Sequence, residues 1–288
     1  MLMGLAFALM WSSAFTSARI IVADAPPMAA LALRFAISGT IAVVIARLLG
    51  QSWRLSRPEW RATLTFGICQ NAAYLGLNFV AMQTIEASLA SVIASTLPLW
   101  VALVGWVVFG ERVSALGLGG LVAGFLGVTV IMGARIGAGA DPTGVALAVV
   151  GVIALTIATL AVRQVASGKN VLMVIGYHMW VGAAVLALLA MATETWQVSF
   201  SWRWGAAFAY TIFVPGLAAT WIWFTLVGRI GAVKAATFHF LNPFFGVAIA
   251  AMILNERMTL SDVLGVLVIA GGIYAVQAAR PLQSRNLK

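Results

Sequence analysis

Long apolar stretches alternate with short polar breaks along the whole of this chain. A membrane-spanning helix needs about 20 predominantly apolar residues, and ten stretches approach or reach that length. They cover residues 2–20, 28–49, 62–82, 88–109, 116–134, 144–164, 171–192, 205–227, 234–254 and 262–279. The pattern predicts an all-α integral membrane protein with ten transmembrane helices and no separate soluble domain.

Composition supports this prediction and excludes several other classes of protein. Hydrophobic residues make up 62% of the chain and charged residues 9%, against roughly 45–50% and about 25% in soluble domains. The net charge of +9 does not indicate nucleic acid as a partner, because the basic residues are spread over the loops. The single cysteine, Cys69, excludes a disulfide framework and a cysteine-rich metal site. The lipid bilayer is therefore a predicted partner.

Basic residues are distributed unequally between the two sides of the membrane. Apart from Arg34, which lies inside a predicted span, one side receives twelve Lys and Arg residues and the other receives four. The positive-inside rule places the richer side in the cytoplasm, so both termini are expected there, in a bacterial-type inner membrane. An apolar run within the first span ends at the small residues Thr16-Ser17-Ala18, as the apolar run of a signal peptide does. It lacks a basic segment in front, and we expect it to be retained.

The chain contains an internal repeat. Matched pairs recur at a constant offset of 145 residues: Pro98 and Pro243, Glu111 and Glu256, Arg112 and Arg257, Gly120 and Gly265, Gly127 and Gly272. In the first helix of each half the offset is 140, which pairs Gly4 with Gly144 and Thr16 with Thr156. We therefore divide the chain into two five-helix repeats, 1–135 and 143–280, and a short cytoplasmic tail, 281–288.

The repeat predicts how the protein is oriented and the class to which it belongs. Because five is an odd number, the second repeat enters the membrane upside down relative to the first. Inverted repeats are typical of secondary transporters, which place their substrate near the midplane between the halves and open to each side in turn. No enzyme mechanism requires this symmetry, and we expect the protein not to be an enzyme.

Two matched segments carry a resemblance to a known family. They are PLWVALVGWVVFGER at 98–112 and PFFGVAIAAMILNER at 243–257, each followed by a glycine-rich helix. The chain resembles the drug/metabolite transporter superfamily, in particular its EamA-type ten-helix members, and is similar to the YddG-like amino-acid exporters. The resemblance implies a central cavity lined chiefly by helices one, three and four and by their counterparts six, eight and nine.

The motif residues are candidates for a hinge and a gate. Pro98 and Pro243 lie within predicted helices, where proline removes a backbone hydrogen bond; each marks either a moving hinge or a static kink. The two Glu-Arg pairs end the fourth and ninth helices at opposite faces, where they either close a gate across the repeats or only terminate a helix. These pairs are Glu111-Arg112 and Glu256-Arg257. The glycines Gly120 and Gly124 predict close helix packing, either within a monomer or in a homodimer.

Polar and aromatic side chains inside the spans are candidates for a substrate-binding cavity, because buried polar groups are costly in lipid unless they are paired or hydrated. The polar candidates are Ser12, Asn71, Asn78, Ser91, Ser95, His239 and Asn242. The aromatic candidates are Trp11, Tyr74, Trp100, Trp221 and Phe238. The alternatives are a serine hydroxyl bonded to its own helix, an interhelical asparagine bond, and tryptophans that only face lipid.

Two further side chains inside the spans, Arg34 and His178, have roles that the sequence leaves open. Arg34 is expected to bind either a carboxylate or the C-terminus of a helix, and a role in stabilising the structure is favoured. His178 is expected to be a packing residue. The two histidines lie on different helices without nearby acids, so no metal site is predicted.

The absence of acidic residues within the spans, and of a nucleotide-binding motif, limits the transport mechanisms that the sequence supports. All eight acids lie in loops or at span ends, and no phosphate-binding loop for ATP occurs. We therefore expect no cofactor, and transport that is uncoupled or weakly coupled. The expected substrates are neutral and aromatic amino acids; other small metabolites or toxic organic compounds are the alternative, and a membrane enzyme acting on lipid is a remote one.

Overall fold

The computed structural model describes residues 1–109, 114–137, 139–162, 168–256 and 259–278. Within these residues all regular structure is helical and forms ten rods, numbered here α1 to α10 in chain order. Six rods are continuous: α1 (Leu2–Asp24), α2 (Pro27–Leu48), α5 (Ala115–Gly137), α6 (Pro142–Val162), α7 (Val171–Thr193) and α10 (Leu260–Ala278).

The other four rods are built from segments. In α3 and α8 a wide π-helical segment lies between two α-helical ones: Arg57–Phe66, Gly67–Leu75 and Gly76–Ala81 in α3, and Trp202–Thr211, Ile212–Ala219 and Thr220–Ile230 in α8. In α4 a break separates Ala87–Ala94 from Leu97–Phe109, and in α9 a 3₁₀ segment joins two α-helices, as Ala232–Ala236, Thr237–Leu241 and Asn242–Leu254.

These irregularities repeat at the sequence offset. The π-helical segments begin at Gly67 and Ile212, and α4 and α9 begin at Ala87 and Ala232, 145 residues apart in both cases. Packing repeats as well: α1 packs on α8 and α9 as α6 packs on α3 and α4, whereas α2 packs on α7 and α5 on α10. The limits 1–135, 143–280 and 281–288 stay predictions, and the tail lies outside the described residues.

The helices are suited to lipid. Seven apolar stretches are long enough to cross a membrane among the described residues, and shorter apolar stretches lie in α5 and α10. Large apolar side chains lie on the outer surface, such as Trp106, Val107 and Val108 on α4. The chain is thus an all-α multi-pass membrane protein.

Three local features determine how the rods begin and pack. The third rod begins at Arg57, five residues before the predicted span, because Ser56 and Glu59 form a reciprocal capping box. Pro98 and Pro243 are each the second residue of a new helical segment, where a missing N–H costs no hydrogen bond. The glycines pack α5 on α10 within the chain: a Cβ atom on Gly272 would lie 2.5 Å from the Gly120 carbonyl oxygen.

Candidate functional site

A wide vestibule opens at one face of the bundle. We call the face where the odd-numbered rods end the Asp24 face, and the opposite face the Arg47 face. The vestibule has a volume of about 1160 Å³ and is lined by charged side chains from both halves. They are Arg19, Asp24, Glu86, Arg203 and Glu256.

The floor of the vestibule is a contact between α1 and α3. Arg19 lines the vestibule and donates a hydrogen bond to the carbonyl oxygen of Met82 at the end of α3. Met82 and Ala18 line a second, smaller cavity on the other side of this contact. The bond therefore separates the vestibule from the middle of the bundle.

The smaller space, called here the central cavity, lies between α1, α2, α3 and α8. Its volume is about 20 Å³, enough for about one water molecule. Trp11 and Tyr74 form part of its wall, with rings 6.3 Å apart and nearly parallel. Gln70, Asn78 and Thr220 provide uncharged polar groups. The resemblance implied α1, α3 and α8 as lining helices but did not include α2.

Buried polar atoms at the central cavity lack protein partners. Within the described residues, neither the Tyr74 hydroxyl nor the Asn78 side-chain oxygen has a hydrogen-bond partner. The Asn78 amide nitrogen donates to the Tyr74 carbonyl oxygen at 2.9 Å. Because unsatisfied buried polar atoms are costly, this cavity is the best candidate for a site that binds a polar solute.

Arg34 reaches the central cavity from α2. Its side chain is 4% exposed, and its Nε donates to the Thr211 carbonyl oxygen at 3.2 Å. That carbonyl lies at the start of the π-helical segment of α8, which contains Pro215. The contact fits the structural role favoured from the sequence, but the lining of the cavity by Arg34 was not foreseen.

An aromatic cluster closes the bundle on the Arg47 side of Trp11. Phe7, Trp11 and Trp223 surround His239, and the three ring centroids lie 5.2–5.4 Å from that of the histidine. Phe7 lies one helical turn before Trp11 on α1 and stacks on Trp223 at 5.1 Å. The cluster joins α1, α8 and α9 through ring contacts.

Asn242 links three rods beside this cluster. Its side-chain oxygen accepts a hydrogen bond from Ser12 at 3.1 Å, and its backbone oxygen accepts one from Ser91 at 2.6 Å. Its amide nitrogen lies 3.1 Å from His239 Nδ1. Ser91 approaches closely because α9 carries Gly246 there; a Cβ atom on that glycine would lie 1.9 Å from the Ser91 hydroxyl.

Several predicted site residues lie away from the centre. The Asn71 side-chain nitrogen donates a hydrogen bond to the backbone carbonyl oxygen of His178 on α7 at 2.9 Å. This is the interhelical bond named above as the alternative to a cavity role. Ser95 donates to the carbonyl of Val92 in its own helix at 2.6 Å. Phe238 packs on Gly4 near the Arg47 face, and Trp100 is half-buried.

Trp221, a predicted residue of the cavity wall, is not among the residues that line the central cavity. It is 49% exposed on the outer surface of α8, whereas Trp223 is 3% exposed and belongs to the aromatic cluster. Two residues rotate a helix by about 200°, so the two side chains face opposite ways. The repeat offset pairs Trp223 with Asn78, and this signal identifies the inward residue.

Glu256 has a contact that sequence reasoning did not foresee. Its two carboxylate oxygens accept hydrogen bonds from the backbone amides of Ala87 and Ser88, at 3.0 and 3.1 Å. It therefore caps the N-terminus of α4, which belongs to the other half. The remaining gate candidates, Glu111, Arg112 and Arg257, lie outside the described residues.

Comparison with known proteins identifies the family. The model of the EamA-like transporter family matches residues 1–133 and 142–277. The chain is 27% identical over 279 residues to the uncharacterized transporter YvbV of Bacillus subtilis, covering 96% of this chain and 90% of that protein. It is 24% identical over 277 residues to a probable amino-acid metabolite efflux pump of Escherichia coli, covering 92% and 90%.

A solved structure supports the same conclusion for the fold. A crystal structure with 22% sequence identity superimposes with a TM-score of 0.75 and covers 95% of this chain and 94% of its own. The family match extends over both five-helix halves and almost the whole chain. The chain therefore belongs to the EamA-like transporter family.

Proposed function

We propose that this transporter exports neutral and aromatic amino acids across the inner membrane by alternating access. The observation that carries the proposal is the one-sided opening of the bundle. A vestibule of about 1160 Å³ leads from the Asp24 face toward the central cavity, and the aromatic cluster closes the Arg47 side. A carrier that opens to one side at a time has this arrangement in one of its two states.

The lining of the central cavity supports the substrate class. Trp11 and Tyr74 offer π faces for an apolar or aromatic side chain, and Asn78 and Gln70 offer uncharged hydrogen-bonding groups. A relative of similar length is named a probable amino-acid metabolite efflux pump. Small zwitterions fit this chemistry better than phosphorylated solutes, which require several basic groups.

The direction of transport follows from the charge distribution. The positive-inside rule places the Arg47 face and both termini in the cytoplasm, so the vestibule opens outward and releases substrate there. Among the described residues no acidic side chain lines the central cavity, and we propose uncoupled or weakly coupled transport.

Counterflow in proteoliposomes tests the proposal. Vesicles loaded with neutral amino acids are offered labelled phenylalanine, alanine or lysine, with and without a pH gradient. We expect phenylalanine and alanine to accumulate without a gradient and lysine not to accumulate. Folded protein that accumulates none of the three would contradict the amino-acid assignment and favour another small metabolite or a toxic organic compound.

Two tryptophans two residues apart provide a matched control. Trp223→Ala removes a ring from the aromatic cluster, and Trp221→Ala removes an equally large ring from the lipid-facing surface. We expect the first variant to lose most of the counterflow and the second to retain it. Equal activity of the two variants contradicts the placement of the transport path.

A further inference from the structure

We propose that Arg34 binds the carboxylate group of the transported solute. The inference rests on the proposed function, since it assigns a recognition group within the same central cavity. It predicts that a solute must carry a carboxylate to be recognised, whatever its side chain.

The first argument is a buried charge whose guanidinium lies over the Phe35 ring, 4.8 Å from its centroid, but has no ionic partner among the described residues. Arg34 is 4% exposed, and among the described residues no carboxylate pairs with it; its only hydrogen bond is to the Thr211 carbonyl. Burying a guanidinium without a counter-charge is costly in a membrane interior. An anionic group bound in the cavity provides that counter-charge.

The second argument is the orientation of the guanidinium. Arginine has five N–H donors in a planar fork, and the contact with Thr211 uses the one on Nε. Among the described residues the terminal amino groups make no hydrogen bond, and Nη2 lies 3.3 Å from the point that a Cβ atom on Gly216 would occupy. These amino groups present the edge that binds a carboxylate with two parallel hydrogen bonds.

The third argument comes from the equivalent place in the other half. The offset of 145 relates Gly216 to Asn71. Asn71 lies against His178 of α7, with Nδ2 2.9 Å from the ring Nδ1, although His178 Nε2 and Asn71 Oδ1 have no partner among the described residues. Gly216 has no side chain that could make a corresponding contact with Arg34. The first pair thus has one side-chain contact between the two rods, whereas the second has none.

The surrounding groups complement the rest of an amino acid. The Asn78 side-chain oxygen and the Tyr74 hydroxyl, both without partners in the described part of the chain, can accept hydrogen bonds from an ammonium group. Trp11 and Tyr74 provide an apolar wall. The cavity of about 20 Å³ admits about one water molecule, so the solute enters when the rods separate at the Arg19–Met82 contact.

Ligand binding to purified protein, followed by tryptophan fluorescence, tests the inference. The ligands are phenylalanine, 3-phenylpropionate, phenylalaninamide and phenethylamine, of which only the first two carry a carboxylate. We expect the wild-type protein to bind these two about tenfold or more tightly than the others, as for a hydrogen-bonded charge. Arg34→Gln is expected to lose that preference.

Two further variants separate recognition from folding. Arg47→Gln makes the same charge change at an exposed position of α2 and is expected to bind as the wild type does. Arg34→Lys keeps the charge but cannot hold Thr211 and a carboxylate together, so we expect intermediate binding. If Arg34→Gln unfolds, Arg34→Lys tests recognition in a folded protein, since binding of the carboxylates with wild-type affinity by that variant contradicts the paired geometry.

The outcomes distinguish this inference from the proposed function. Equal binding of phenylalanine by wild-type protein and Arg34→Gln, or equal binding of the amine and the acid, overturns the inference even if amino acids are transported. Arg34-dependent binding of 3-phenylpropionate without amino-acid counterflow supports the inference and contradicts the amino-acid assignment. Binding of neither carboxylate contradicts the inference.

Discussion

The cap that Glu256 places on α4 joins the two halves beside the vestibule, and its removal tests whether this contact controls access. Glu256→Gln keeps the size of the side chain but removes its charge and one of the two acceptor oxygens that hold Ala87 and Ser88. A helix cap contributes about 0.5–2 kcal/mol, and a carboxylate near a helix N-terminus about 0.3–1 kcal/mol. We estimate a loss of about 1–2 kcal/mol, which changes a two-state equilibrium about five- to thirtyfold.

Another glutamate provides a control with the same local chemistry. Glu194 accepts hydrogen bonds from the amides of Met28 and Ala29, at 2.8 and 2.9 Å, and caps α2 in the same way. It lies on the outer side of the α2–α7 pair and does not line the vestibule. Glu194→Gln is therefore expected to cost similar stability without changing access to the central cavity.

Cysteine labelling measures the effect. Ala18 is buried and lines the central cavity directly below the vestibule floor, so Ala18→Cys in a Cys69→Ser background reports opening toward the Asp24 face. We expect Glu256→Gln to raise the rate of reaction with an impermeant maleimide about fivefold or more. The same rate in the parent and both variants, or an equal rise in both variants, refutes the reasoning.

Three smaller predictions follow from contacts elsewhere. Gly246→Ala displaces the Ser91 hydroxyl, 1.9 Å from the added Cβ, and should abolish counterflow, whereas Gly119→Ala, with nothing within 4 Å, should retain it. Hydrogen bonds from Thr84 and two backbone amides hold the pKa of Asp141 below its usual range. Its stabilising effect is thus present above the ordinary value of about 3.9 and lost as the pH falls through the lowered pKa. Melting temperatures of Asp141→Asn should therefore change less with acidification than those of wild type. Ser56→Ala removes a capping box and should cost about 1 kcal/mol in reversible unfolding; no change contradicts the assigned cap.

The arrangement of spans was predictable because lipid constrains it strongly. Every helix that crosses a bilayer needs an apolar stretch of nearly fixed length, and ten such stretches match the ten rods. The repeat offset was visible because motif residues such as Pro98 and Pro243 recur at one spacing. The start of α3 was missed because hydropathy does not detect a polar first turn, although Ser56 and Glu59 carry the capping signal.

The inward faces of α3 and α8 were harder to predict, because the faces were assigned with a regular helical period. Each rod contains a π-helical segment, whose hydrogen bonds span five residues instead of four. Such a segment changes the direction in which every later side chain points. Trp221 lies directly after the second π-helical segment. The contact of Arg34 was also hidden, because it depends on the Thr211 carbonyl in a rod that is distant in the sequence.

The two halves share a backbone pattern but differ in the side chains at equivalent positions, and this difference produces a single polar site. Ser12 of α1 bonds Asn242 of α9, whereas the offsets place Val152 and Leu97 at the corresponding positions of α6 and α4. Both are buried apolar residues. On the proposed mechanism, symmetric packing gives the halves similar movements toward either face, while the asymmetric side chains keep one binding site for both. We therefore expect the residues that determine the substrate to lie where the two repeats differ, as Arg34 and Gly216 do.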